Sequence, residues 1–261
     1  MKVYIATDLE GISGVCCFEQ TRDRTSPHYE YARHLLMGDV NAAVQGCLDG
    51  GAEEVLVSDG HGGGFNFLPR EMHPGARYFT GVQRPRLVCG LDESFDAAIL
   101  LGYHAMNGTE DGVLHHTQSS KAECKYWYNG RESGEIAQSG ILLGHFGVPV
   151  VMVTGDEATC REAKEFLGKH TVTVAVKKGY SRQCAVLIAP KRAYKMIRAG
   201  AKKAMKRIKK CTPYAIDFPA EGKLQVGSKE IADGRTPNLS ERVDDVTFVA
   251  TFESPLDIYK F

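Results

Sequence analysis

Acidic and imidazole side chains recur where apolar runs stop. The run at 3–7 is followed by Asp8-Leu9-Glu10-Gly11, the run at 55–58 by Asp59-Gly60-His61-Gly62, and the run at 97–101 by Gly102-Tyr103-His104. Glycine beside each group lets the backbone turn sharply and approach a ligand. Asp8 and Glu10 stand two apart, so on an extended chain both carboxylates face one way. Two such carboxylates repel each other, and a cation offsets that best. Carboxylate with imidazole and no thiolate suits zinc, manganese or iron in a catalytic site. Downstream, Gly112-Val113-Leu114-His115-His116-Thr117 offers a histidine pair, one member of which suits a general base. In Asn129-Gly130-Arg131-Glu132-Ser133-Gly134-Glu135, either Glu132 or Glu135 could complete a metal site, and either also suits the first turn of a helix. A lone strand-end aspartate is commonly a cap. It is the joint placement of these groups at three strand ends that points to a metal.

Other chemistries find less support. Gly60-His61-Gly62-Gly63-Gly64 lacks the Lys-Ser/Thr of a phosphate loop, and the first strand is not followed by G-x-G-x-x-G. No G-x-S-x-G nucleophile elbow occurs. Cys16, Cys17, Cys47, Cys89, Cys124, Cys160, Cys184 and Cys211 include no C-x-x-C pair, so they read as reduced, mostly buried thiols.

The elements that must position these groups alternate. Strands are expected at 3–7, 55–58, 97–101, 148–154 and 172–176, and helices at 27–49, 134–147 and 156–170. The continuous apolar run at 97–101 fits a strand buried on both faces. This rhythm predicts an α/β fold with a mostly parallel sheet flanked by helices on both faces. From Tyr214 the rhythm changes, with strands expected at 215–218, 223–226 and 246–252 and no helices between. The expected division is a catalytic domain over 1–210 and a small C-terminal β-rich extension or subdomain over 211–261. In an open parallel sheet, ligands bind beyond the carboxyl ends of the strands, where the three acid- and histidine-bearing segments fall.

At 261 residues, 43% hydrophobic and 25% charged, the chain suits one large domain or two small ones. Lys+Arg and Asp+Glu both number 32. That balance gives no electrostatic case for a nucleic acid or an anionic membrane. No apolar run approaches the roughly 18 residues of a membrane span. The opening lacks the apolar core of a signal peptide, so the expected location is cytoplasmic. One stretch departs from the balance. Residues 190–210 carry ten Lys and Arg and no acid, with Tyr194, Ile197, Ala201, Ala204 and Ile208 at helical spacing. It is expected to be a solvated outer helix; the competing reading is a nucleic-acid-binding face.

The segments V-Y-I-A-T-D-L-E-G-I-S-G, V-L-V-S-D-G-H, L-L-G-Y-H-A-M, G-V-L-H-H-T and N-G-R-E-S-G-E-I, in this order, resemble the zinc-dependent, self-compartmentalising D-aminopeptidases. The likeness runs through P-V-V-M-V-T-G-D near residue 155, and K-K-G-Y-S-R-Q-C-A also fits. The resemblance implies two zinc ions held by Asp8, Glu10, His61, His104 and Glu135, with Asp8 as the bridge. It implies His116 as the catalytic histidine and Glu135 rather than Glu132 as the ligand. It further implies short peptides with D-amino-acid N-termini as substrates and a ring-shaped homodecamer. The alternative is a metal-dependent hydrolase of another amide or a phosphoester bond using the same ligands.

Overall fold

The computed structural model describes residues 1–84 and 88–261. Its strands are β1 (Lys2–Thr7), β2 (Glu54–Asp59), β3 (Arg77–Phe79), β4 (Ala97–Leu101), β5 (Lys125–Tyr128), β6 (Arg131–Glu132), β7 (Val150–Asp156), β8 (Val172–Ser181), β9 (Cys184–Leu187), β10 (Ala220–Gln225), β11 (Ser240–Arg242) and β12 (Thr247–Phe252). Its helices are α1 (Glu19–Arg22), α2 (Pro27–Asp49), α3 (Glu135–His145), α4 (Glu157–Leu167), α5 (Pro190–Met205) and α6 (Lys229–Asp233).

One sheet has the order β3-β2-β1-β4-β7-β8-β9. It is parallel from β3 through β8, and β9 closes the edge antiparallel. The alternating strand residues divide between its two faces. Val3 and Ile5 of β1 join Ala97, Ile99 and Leu101 of β4 in a core beneath α2 and α5. Tyr4, Ala98 and Leu100 face the opposite core with α3 and α4. All of β4 is buried, as its unbroken apolar sequence predicts. Helix α2 begins where expected because Ser26 caps it, accepting from the His28 amide, with Pro27 in the first turn.

The second sheet, β11-β12-β10-β5-β6, is antiparallel throughout. Its inner face, with Tyr126, Tyr128, Leu224, Phe248 and Phe252, packs on Ile141 and Leu142 of α3. The β-rich C-terminal segment thus builds its sheet jointly with β5 and β6 from mid-chain. Three sequence expectations need correction. Residues 215–218 form no strand: Pro213 and Pro219 flank them and remove ladder donors, and the Tyr214 ring packs on Phe166 instead. A short helix, α6, interrupts the C-terminal strands. The basic helix ends at Met205, followed by a separate 3₁₀ turn at Ile208–Lys210. Among the described residues, no helix is long and apolar enough to cross a membrane.

Candidate metal centre

From β1 the chain passes to β2 on one side, and later to β4 on the other. The strand order therefore reverses at β1 and β4, and the crevice at such a point is where open sheets bind ligands. Asp8 leaves β1 here, its amide held by the Leu101 carbonyl at 2.8 Å. The backbones then come together, and only glycine fits. A Cβ on Gly11 would stand 1.9 Å from the Tyr103 carbonyl oxygen, and one on Gly102 2.4 Å from that of Asp8. This crossing holds the Asp8–Glu10 turn against the start of the His104 loop. Asp8 and Glu10 do share a target, but through a turn rather than the extended chain the spacing suggested.

His61 Nδ1 lies 3.0 Å from Asp8 Oδ1 and 3.0 Å from Glu10 Oε2. His104 Nε2 lies 3.3 Å from Asp8 Oδ2 and 3.4 Å from Glu135 Oε1. The two Asp8 oxygens therefore face different imidazoles. His116 Nε2 stands 3.9 Å from Glu135 Oε1, and its ring stacks on His104 with centroids 3.9 Å apart. The structure brings together all six of Asp8, Glu10, His61, His104, His116 and Glu135. Glu132 is elsewhere, paired with Lys125 at 3.2 Å. His115 also turns away: its Nδ1 accepts from the Gly108 amide, and its carbonyl accepts from Arg182. Burial, reinforced by the Arg182 charge, pushes the His115 imidazole down to about 4.

The three imidazoles of the cluster share one arrangement. His61 Nε2 meets the Thr21 carbonyl at 2.8 Å, His104 Nδ1 the Ala105 carbonyl at 3.0 Å, and His116 Nδ1 the Leu114 carbonyl at 2.7 Å. A carbonyl only accepts, so each of these nitrogens carries the proton. If the ring is neutral, its other nitrogen presents a bare lone pair to carboxylate oxygens. Buried acceptor against buried acceptor is unfavourable unless a cation or proton lies between them. Glu10 Oε2 and His104 Nε2 accordingly have no hydrogen-bond partner despite full burial. Burial alone would lower the His61 and His104 imidazoles, but the charges of Glu10 and Glu135, with Asp8, raise both well above their usual value. Burial likewise opposes ionisation of Asp8, yet His104 and His61 hold its carboxyl well below the usual range. Nitrogen and oxygen donors oriented by backbone carbonyls fit a divalent metal. Asp8, Glu10 and His104 form one group of potential ligands, and His104, His116 and Glu135 another. The cleft above them measures 480 Å³.

Sequence reasoning missed the groups that brace this cluster. Lys177 of β8 is buried and donates to the carbonyls of Glu10 at 2.6 Å, Ile12 at 3.0 Å and Val15 at 2.5 Å. Asp39 of α2 is buried and accepts from the Ser13 amide and hydroxyl. Asp156 caps α4 and also accepts from the Val113 amide at 2.6 Å, anchoring the segment that leads to His116. The Gln118 amide donates to Glu135 at 2.7 Å. For Lys177 the one available signal was a lysine directly after the largely apolar run at 172–176.

A family model described as D-aminopeptidase matches residues 1–261. A D-aminopeptidase of Bacillus subtilis (strain 168) is 33% identical over 198 residues, covering 76% of this chain and 71% of the relative. In structure, the chain is similar to the Zn-dependent D-aminopeptidase DppA from Bacillus subtilis, a self-compartmentalizing protease. The TM-score is 0.91 at 28% identity, covering 99% of this chain and 94% of the other. With its full length matched, the chain belongs to the D-aminopeptidase family of peptidases.

Proposed function

We propose that the protein removes N-terminal residues of D configuration from short peptides, using two zinc ions held by Asp8, Glu10, His61, His104 and Glu135. The observation that carries this reading is the set of carbonyl-anchored imidazoles, whose other nitrogens converge on the carboxylates of Asp8, Glu10 and Glu135. Asp8 divides its oxygens between the His61 side and the His104 side, which suits a bridge between two ions. The zinc dependence of DppA supports the choice of metal, and its self-compartmentalizing assembly supports a homo-oligomer here. A ring of ten copies is the form the family resemblance implies.

When bound, zinc polarises a scissile carbonyl and makes water more acidic. The protein's own groups supply orientation and proton transfer. His116 is the base. Its Nδ1–H is committed to the Leu114 carbonyl, so Nε2 is the nitrogen free to take a proton from the attacking water and pass it to the leaving amine. Burial holds this imidazole below its usual value, which favours its neutral, proton-accepting form. Glu135 is steadied by the Gln118 amide, and His104 is pinned between Glu135 and the His116 ring.

The test is metal analysis together with a substrate panel. Protein stripped by a chelator should lose hydrolysis of D-alanyl-D-alanine, and zinc, manganese or cobalt should restore it to different degrees. Reconstituted protein should bind two zinc per chain and cleave the D,D dipeptide faster than the L,L dipeptide. Metal-loaded protein that cleaves neither, or full activity with the metal shown to be gone, overturns the reading.

A further inference from the structure

The cleft above the cradle is lined by groups of both signs. Asp8, Glu10 and Glu135 belong to the cradle, and Arg22, Arg24 and Lys121 share the cleft walls with them. None of the three cations forms an ion pair among the described residues. Asp23, between the two arginines in sequence, turns its carboxylate to the Thr25 amide and hydroxyl instead.

Both arginines are held in place by neutral groups. Arg22 donates to the Ser120 hydroxyl at 2.8 Å and carbonyl at 2.6 Å, and its guanidinium lies 3.3 Å from the Phe18 ring centroid. Arg24 donates through Nη2 to the Gly62 and Gly64 carbonyls at 2.9 and 2.8 Å. These contacts fix the guanidinium planes without neutralising them. Each retains N–H donors for a planar anion, and a guanidinium binds a carboxylate best through two parallel hydrogen bonds.

The cations also lie close to the cradle along the chain. Arg22 follows Thr21, whose carbonyl holds His61. Arg24 is tied to Gly62, the residue after His61. Lys121 is three residues beyond Gln118, whose amide holds Glu135. Three residues span at most about 10 Å, and each residue of an extended peptide covers roughly 3.5 Å. A peptide with its amino end at the cradle therefore presents the carboxylate of its second or third residue to these side chains. Fixed cations at that distance supply the counter-charge such a carboxylate needs.

We propose that Arg22, Arg24 and Lys121 form a carboxylate-binding rim that selects di- and tripeptides with a free C-terminus. The proposal rests on the aminopeptidase reading and adds to it a requirement on the far end of the substrate. The cleft then meets the two ends of a short peptide with different groups, the cradle at the amino end and fixed cations at the carboxylate.

The test is steady-state kinetics of the zinc-loaded, full-length protein on D-alanyl-D-alanine and on its C-terminal amide. The wild type should favour the free acid by about tenfold or more in kcat/KM, most of it in KM. Lys121→Gln and Arg24→Gln should each raise KM for the acid several-fold, leave kcat nearly unchanged, and leave the amide unaffected. Lys121 is exposed and makes no side-chain hydrogen bond or ion pair among the described residues, so its variant keeps the fold even if Arg24→Gln loosens the loop behind His61. Zinc content, measured for every variant, shows whether the cradle is intact. Equal KM for acid and amide in the wild type overturns the rim and leaves the aminopeptidase reading standing. So does a parallel rise on both substrates in Lys121→Gln. Cleavage of neither substrate by the wild type overturns both.

Discussion

The strand-end cradle and helix α5 each gather ionisable side chains, under opposite conditions. In the cradle, six groups of mixed sign stand 3.0–3.9 Å apart, four of them buried. Along α5, Lys191, Arg192, Lys195, Arg198, Lys202 and Lys203 are exposed, while Ala193, Ile197, Ala201 and Ala204 face the core. Charges in water are screened and count for little individually, whereas buried charges interact strongly and must be offset. Density of charge in the sequence is thus a poor guide to chemistry, and convergence of charge in the fold is a good one. Removing members of each set in turn sharpens that contrast.

The largest effect is expected at Asp8. Asp8→Ala removes the carboxylate that faces both His61 and His104, leaving their bare nitrogens without a common partner. Metal content and activity should fall together while the circular dichroism spectrum stays folded. A variant that retains two metals per chain shows that Asp8 is no ligand.

Next comes the histidine pair. His116→Ala should keep both metals yet lower turnover on the order of a hundredfold or more. His115→Ala should change turnover far less, because that ring faces the Gly108 amide and not the cradle. Steady-state kinetics beside metal analysis separates the two. An equal loss in both variants, or a loss confined to His115→Ala, moves the catalytic role upstream by one residue.

Lys177 carries the contrast within one residue type. Its ammonium binds three carbonyls of the turn that bears Glu10, whereas its neighbour Lys178 is exposed. Lys177→Met should weaken zinc binding about ten- to a hundredfold, the usual cost of removing a group that orients ligands. Lys178→Met should leave it unchanged. Competition against a chromogenic chelator reads this directly. Unaltered affinity in Lys177→Met would show that the turn needs no clamp.

These cases also show how far the sequence reaches. The parallel sheet, the bounds of α2 and β4, and four cradle residues (Asp8, Glu10, His61 and His104) could be read because local signals coincide there: a cap and a proline before α2, an unbroken apolar run for β4, and acids and histidines beside glycine at strand ends. The family likeness then chose Glu135 over Glu132 and His116 over His115, which spacing alone left open. The second sheet was harder, since β10 pairs with β5 nearly a hundred residues earlier, and no local pattern encodes such a partner. The braces escaped for the same reason. Nothing near Lys177 in sequence indicates that it will meet carbonyls of residues 10, 12 and 15.

Burial gives Asp39 a pH dependence of its own. Its carboxyl is raised to about 6, chiefly by burial and against the two Ser13 hydrogen bonds. A folded value above the unfolded one means the native state binds the proton more tightly. The associated stability is therefore complete below about pH 4 and lost as pH rises through about 6. Asp39→Asn keeps a similar shape and cannot ionise, so the stability of wild type relative to this variant should fall by about 2 kcal/mol between those limits. Denaturant unfolding of metal-free protein at both pH values measures it. A constant difference would show that Asp39 ionises in the fold as freely as in the unfolded chain.

The smallest effect belongs to α5, and it tests the other half of the comparison. Lys202 and Lys203 lie on the solvent face of its last turn, where cations are mildly favoured by the helix dipole. Lys206 follows, also exposed. Reversing two of these charges, Lys202→Glu with Lys206→Glu, costs that dipole interaction and meets no buried partner. The change in stability should stay within about 0.5 kcal/mol per site. Turnover of a small dipeptide should not change, because none of these residues lines the cleft above the cradle. Nucleic-acid binding through this face would instead appear as salt-sensitive retention of an RNA or DNA oligomer by the wild type, lost in the double variant. A marked drop in dipeptide turnover, with metal content intact, would mean that α5 lies along the route by which peptides reach the cradle. Exposure alone would then no longer separate the two sets of charges.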